Sequence, residues 1–271
     1  MKRFLLVFLI SLLLCGCHAP AEPAQIAATT LPVYEFTSRL CEGTPLTVTR
    51  LVTEEVSCLH DYSLNVRQVK AAEAAQTIVI SGAGLEEFME DLLLGRDTVD
   101  ASEGIRLITP EEHHHHQEEA EDSHQGHHHE TDSHIWLSPA NAMVMVKNIT
   151  DGLIAAYPQH EAQFGWNCVM LMTKLKILLD YGNEQLSDLT HRELITFHDG
   201  FAYFAQCFDL RILAAVEEEA GAETSAKKLI ALINLVQRRN IRAVFTETNG
   251  SDASANVICA ETGATLRSLD M

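Results

Sequence analysis

Apolar positions along this chain change their period repeatedly, and each change marks an element. After the cationic Lys2-Arg3, a continuous apolar run extends from Phe4 to Leu14, broken only by Ser11. Short apolar stretches then alternate with amphipathic ones. Gln25–Thr30 reads as a strand, Pro32–Leu40 as a helix and Leu46–Val52 as a second strand. Tyr62–Ala75 has helical spacing, and Thr77–Ser81 is a buried strand. Gly82 and Gly84 open a helix through Leu94, and Gly104–Thr109 makes a fourth strand. Strands alternating with helices predict a mostly parallel sheet.

Residues 111–134 break the pattern, and helices follow. Ser138-Pro139 offers an N-cap followed by proline at the first helical position, starting a helix to about Tyr157. Pro158 interrupts, and a long helical stretch reaches about Leu189. Its apolar residues Phe164, Cys168, Leu171, Leu175 and Leu178 step by three and four, a one-face stripe that packs into a core. Its place between two sets of alternating elements makes 158–189 a linking helix. The second set has strands at Glu193–Phe197, Arg211–Val216, Ile241–Glu247 and Thr265–Leu269. Its helices are Phe201–Phe208, Ser225–Arg239 capped by Thr224 or Ser225, and Ser251–Thr262 ending at Gly263. The predicted fold is α/β, with one lobe over 17–157 and another over 190–271, and one cleft between two sheets.

The N-terminus sets the compartment. A charged start and a short apolar run have signal-peptide form, too short to span a bilayer. The run ends Leu14-Cys15-Gly16-Cys17, which looks like a bacterial lipobox. Residues 1–16 are then a lipoprotein signal peptide, and lipid on Cys17 anchors the protein at the extracytoplasmic face of the cell membrane. The alternative is a plain secretory signal with two incidental cysteines. A hydrophobic fraction of 46% supports packed cores, and a net charge of −19 argues against nucleic acid and suits handling of cations. Five cysteines remain after Cys17. Cys41 with Cys58 is the preferred disulfide and Cys207 with Cys259 a weaker one, while the lack of Cys-x-x-Cys disfavours a thiolate metal site.

The histidines carry the chemistry. His198 and Asp270 stand directly after strands, and His60 follows Leu46–Val52 across a loop. His134 lies just before the helix that Ser138 caps. Ligands of open α/β sheets bind beyond the carboxyl ends of strands, and three imidazoles with one oxygen complete a tetrahedral Zn²⁺ shell. His160 and His191 read as ordinary histidines. Residues 111–134 hold nine His, eight Asp or Glu and no Lys or Arg, a composition expected to be disordered and to bind metal loosely at several points.

Six segments carry a resemblance. They are Thr29–Tyr34, Ser57–Tyr62, Gly82–Glu86, Asp132–Pro139, Thr196–Phe201 and Val244–Glu247. In order and spacing they resemble the zinc and manganese solute-binding proteins of ABC importers, across nearly all of the chain after the signal. The resemblance implies two lobes joined by a rigid helix with metal in the cleft. It implies His60, His134 and His198 as ligands, with Asp270 or water as the fourth, and Asp199 and Glu247 as supporting groups. Manganese-type members carry Glu where His198 stands, and imidazole there favours zinc. Zinc-type members also carry a His-rich loop at this location.

There are two departures. Leu59 replaces the family's usual Pro, and the chain stops at Met271, where members continue into a closing helix. Either the sequence is truncated or the second lobe is incomplete. The expected function is capture of Zn²⁺, as a monomer without enzymatic activity, for delivery to a membrane permease and its ATPase. The alternatives are a secreted zinc hydrolase, a manganese-binding member of the same family, and a metal-buffering lipoprotein without a transporter.

Overall fold

A computed structural model of the chain describes residues 25–54, 59, 62–109, 131–197, 199–216, 224–248 and 252–269. In the first lobe, strands β1 (Ile26–Ala28), β2 (Val48–Arg50), β3 (Thr77–Ile80) and β4 (Thr98–Asp100) pair in the order β2-β1-β3-β4, all parallel. All three residues of β1 are fully buried. A central parallel strand has both faces covered by crossover helices, so it carries apolar residues without alternation. Helix α1 (Leu31–Cys41) follows β1 and keeps Pro32 in its first turn, where a missing N–H is harmless.

Helix α2 (Val66–Ala74) starts later than the expected Tyr62 because Asn65 caps it. The Asn65 side chain accepts from the Gln68 N–H, and the Gln68 side chain accepts from the Asn65 N–H, a reciprocal capping box. The helix expected up to Leu94 is one 3₁₀ turn (Glu87–Met89) and a single α turn, α3 (Glu90–Leu93).

The fourth strand is Thr98–Asp100 and not Gly104–Thr109. Gly104 sits at φ +75° in a turn, and the apolar residues after it do not pair in a sheet. Ile105, Leu107 and Ile108 pack as an irregular segment against the lobe's core. Burial without a ladder mimics a strand in sequence.

Helix α4 (Pro139–Ala156) starts as expected, with the Ser138 hydroxyl accepting from the Asn141 N–H at 3.3 Å. It buries Met145, Val146, Ile149 and Leu153 completely. A 3₁₀ turn at Pro158–His160 leads into α5 (Glu161–Leu186), whose 26 residues span about 39 Å. The first half of α5 places Phe164, Cys168 and Leu171 in the first lobe's core. Leu175 is half-buried and Leu178 is exposed, so the one-face stripe leaves the core before its end. The far end of α5 meets the second lobe. Gly182 lies against the buried ring of Phe208, and Arg192 donates to the carbonyls of Leu186, Ser187, Phe208 and Asp209 at 3.0–3.2 Å.

The second lobe repeats the first. Strands β5 (Glu193–Thr196), β6 (Arg211–Ala215), β7 (Ala243–Glu247) and β8 (Thr265–Leu269) lie in the order β6-β5-β7-β8, again all parallel. The connecting helices are α6 (Ala202–Cys207), α7 (Ala226–Arg239) and α8 (Ala253–Thr262). Ser225, rather than Thr224, caps α7 by accepting from the Lys228 N–H. Among the described residues no helix is long and apolar enough to cross a membrane.

The disulfide expectations fail, because Cys41, Cys168, Cys207 and Cys259 are free thiols. Cys41 points into the first core as a small apolar group, and burial pushes its thiol up to about 12. Cys207 ends the β5–β6 crossover and Cys259 lies in the β7–β8 crossover. These run in opposite directions along the sheet, and right-handed connections put them on opposite faces. Cys58, Cys17 and residues 1–16 lie outside the described residues.

Two glycines of α5 should respond oppositely to alanine. A Cβ at Gly165 meets nothing within 4 Å, so Gly165→Ala should stabilise by about 0.5–1 kcal/mol. A Cβ at Gly182 meets the Phe208 ring, and Gly182→Ala should destabilise by about 1–3 kcal/mol as helix and lobe separate. Urea denaturation of the two variants measures both signs.

Candidate metal centre

In each sheet the first and third strands run side by side while their crossovers leave in opposite directions. That is the topological switch point where α/β proteins hold ligands beyond the strand ends. In the first lobe this place lies between β1 and β3, and a buried carboxylate occupies it. One Glu86 oxygen accepts from the Thr29 hydroxyl at 2.6 Å and the Ser81 N–H at 2.7 Å, and the other accepts from the Gly82 N–H at 3.0 Å. Gly82 is required, since its φ is +80° and a Cβ there would collide with Asp100 and Ser102. Burial pushes the Glu86 carboxyl up to about 7, although its three donors pull the other way.

His134 opens the 3₁₀ turn Ile135–Leu137 that leads into the Ser138 cap. It is 8% exposed. Its backbone N–H donates to Asp132 Oδ1 at 2.8 Å, and its ring Nδ1 lies 2.8 Å from the same oxygen. A carboxylate facing Nδ1 selects the tautomer protonated there, which leaves Nε2 with the lone pair a metal needs. Trp136 packs at 5.3 Å from the imidazole and holds its tilt. The ring is thus oriented in advance by a carboxylate, an indole and a capped helix.

His60, His198 and Asp270 lie outside the described residues, as do most residues of the acidic, His-rich stretch. Their neighbours in the chain are well held. After β2, the N–H groups of Leu51 and Val52 donate to the carbonyls of Ala28 and Thr29. Beyond His60, Gln68 Nε2 donates to the Tyr62 hydroxyl at 2.6 Å and to the Leu51 carbonyl at 2.9 Å. Phe197, next to His198, is buried at the end of β5. The Leu269 carbonyl, next to Asp270, accepts from the N–H and hydroxyl of Thr248. Among the described residues no three His, Cys, Asp or Glu side chains converge on a metal-sized point. Glu247 is buried at the end of β7, and Asp199 is half-buried beside His198 in sequence.

The family model for the zinc-uptake complex component A, periplasmic (ZnuA) matches residues 26–271. The chain belongs to the ZnuA family. Its ZnuA-type fold superposes on a crystal structure of ZnuA with a TM-score of 0.77 at 27% identity, covering 91% of each chain. The Zn(II)-bound ZnuA-like domain of Streptococcus pneumoniae AdcA gives a TM-score of 0.74 at 28% identity, over 91% of this chain and 87% of that one. The zinc-binding lipoprotein AdcA of S. pneumoniae is 32% identical over 96% of this chain but only 52% of its own length. The chain therefore spans about half the length of the AdcA proteins it matches. A putative metal-binding protein of Treponema pallidum is 26% identical over 78% of this chain and 68% of its own.

Sequence reasoning missed two residues here. Asp132 carried a signal, since an Asp two residues before a His can turn back onto the intervening backbone. Glu86 closes the Gly82–Glu86 segment that carries part of the resemblance, but nothing local in the sequence assigns its carboxylate a role. Its folded pKa is raised above the unfolded value, so its stabilising contribution is complete below about pH 4.5 and is lost as pH rises through about 7. Glu86→Gln should flatten this slope, which is at most about 1.4 kcal/mol per pH unit. Denaturant titrations of the metal-free protein at pH 5 and pH 8 measure it.

Proposed function

We propose that this chain is an extracytoplasmic protein that captures Zn²⁺ and delivers it to an ABC-type importer. The observation that carries the reading is the imidazole of His134, held through Nδ1 by the buried carboxylate of Asp132. That pairing fixes the ring's orientation and tautomer, and it is the common support of zinc-bound histidine. The likeness to a Zn(II)-bound AdcA domain supports zinc as the ion.

In this reading His60, His134 and His198 bind the metal, and Asp270 or water supplies the fourth contact. The cargo ion is bound whole and released whole, so the protein is not an enzyme. The lobes divide at 17–157 and 190–271 with 158–189 between them. Cys17 carries lipid after removal of residues 1–16, and the mature protein is a monomer facing its permease, which an ATPase drives.

Isothermal titration of protein prepared without a tag should show one tight zinc site. Each of His60→Ala, His134→Ala and His198→Ala should weaken it by more than about 100-fold, beyond the usual cost of losing a supporting group. Imidazoles must be neutral to coordinate, so zinc should be lost on acidification. Equilibrium dialysis that finds stoichiometric zinc retained below about pH 5 contradicts a three-histidine site.

Selectivity follows from the same ligand set. Imidazole suits Zn²⁺, whereas Mn²⁺ prefers oxygen donors. His198→Glu should therefore lower the preference for Zn²⁺ over Mn²⁺ in direct competition. An unchanged competition ratio removes His198 from the site.

A further inference from the structure

One side chain of the second lobe is buried in the core of the first. Tyr203, on α6, is 1% exposed and packs in the cluster built from Ile26, Ile135, Met145 and Ile149. Its hydroxyl accepts from the Ile108 N–H at 3.0 Å and donates to the Asp132 carbonyl at 2.9 Å. The Asp132 N–H in turn donates to the Ile108 carbonyl at 2.9 Å. Ile108 and Asp132 bracket the His-rich stretch of the chain, and the phenol closes the ring of hydrogen bonds that joins them. Asp132 then passes the constraint to His134 through both its backbone N–H and its ring nitrogen.

We propose that Tyr203 is a positioning residue for zinc, tying the second lobe to the Asp132–His134 pair so that one ligand's aim depends on how the two lobes sit. The inference rests on His134 as a zinc ligand, and it adds a residue that never touches the ion. Tyr203 lies in the same sequence segment as His198, five residues on. Displacing Tyr203 with its lobe therefore moves the support of a first-lobe ligand candidate. That coupling suits a carrier, which must hold zinc when its lobes are seated and let it go when they are displaced.

The test is a double-mutant cycle on the full mature chain, with zinc affinity read by competition with a chromogenic chelator. Tyr203→Phe keeps the ring in the core and removes the hydrogen bonds to Ile108 and Asp132. It should weaken the tight site about 10- to 100-fold, as loss of other outer supports of metal ligands does. In a His134→Ala background the same change should cost less than about threefold, because the ligand it positions is gone. Equal loss in both backgrounds would show a merely structural role and overturn the proposal, as would no loss in the intact protein. Should His134→Ala itself leave zinc affinity unchanged, the ligand assignment fails first, and this result is distinct from the other two. A second measurement needs no variant. Zinc binding to the unmodified protein should slow amide hydrogen exchange at Ile108 and Asp132 more than at Ile149 in the core, and equal slowing at all three would count against the coupling.

Discussion

Burial of the helix Pro139–Ala156 is the contact on which the rest of the molecule depends. Met145, Val146, Ile149 and Leu153 are fully withdrawn from water along one face. Each contributes about 1.5–3 kcal/mol relative to exposure, an upper bound because unfolded chains already bury some apolar area. The same helix holds three other parts of the structure in register. Its N-terminus, capped by Ser138, orients the turn that carries His134. Gly152 lets Val99 of β4 approach, and Asn148 donates to the carbonyls of Ala101 and Glu103 just beyond that strand. Its packing against Glu161–Leu186 then carries the first lobe's position along about 39 Å of helix toward the second.

The two lobes share strand order but differ at the place where that order reverses. In the first lobe, Glu86 and the backbone amides of Ser81 and Gly82 occupy the crevice beyond β1 and β3. Those hydrogen bonds engage both Glu86 oxygens and brace the strand ends. In the second lobe the chain leaves β5 at Phe197 with His198 next, so a candidate ligand follows the strand end directly. One fold used twice thus supplies a braced strand end in one lobe and a strand end followed by a candidate ligand in the other.

Much of this was legible in the sequence, for physical reasons that differ by element. The cap of α4, the place of the α7 cap at Thr224 or Ser225, and the alternation of strand and helix were visible because each depends on local chemistry: Ser138 before Pro139, a hydroxyl before an amphipathic run. Thr98–Asp100 was hidden because three residues with one half-buried side chain make no periodic signal. Gly104–Thr109 was mistaken for it because its burial comes from tertiary packing. The Cys207–Cys259 expectation failed because spacing along the chain says nothing about which face of the sheet a crossover takes. His134 stood out as a candidate through its place before a capped helix. Its dependence on Asp132 and Tyr203 joins residues 71 positions apart through a single hydroxyl, and no local pattern encodes that.

Charge explains why the supporting groups matter as much as the ligands. In the proposed site three neutral imidazoles and one carboxylate leave a net charge of about +1 on the bound zinc centre. Asp132 faces an imidazole rather than the ion, so it offsets that charge through the ring without adding a metal–oxygen bond. A second direct carboxylate would hold zinc more firmly and move the site toward the oxygen-rich coordination that Mn²⁺ prefers. Keeping the negative group one atom chain removed retains selectivity for a softer ion and leaves a bond that geometry can weaken. The carboxylate's position rests in turn on the hydroxyl of Tyr203, which belongs to the other lobe. Strength of binding and arrangement of the lobes are then set by the same hydrogen bonds, which is what a protein needs if it must grip a metal ion in solution and release it at a membrane.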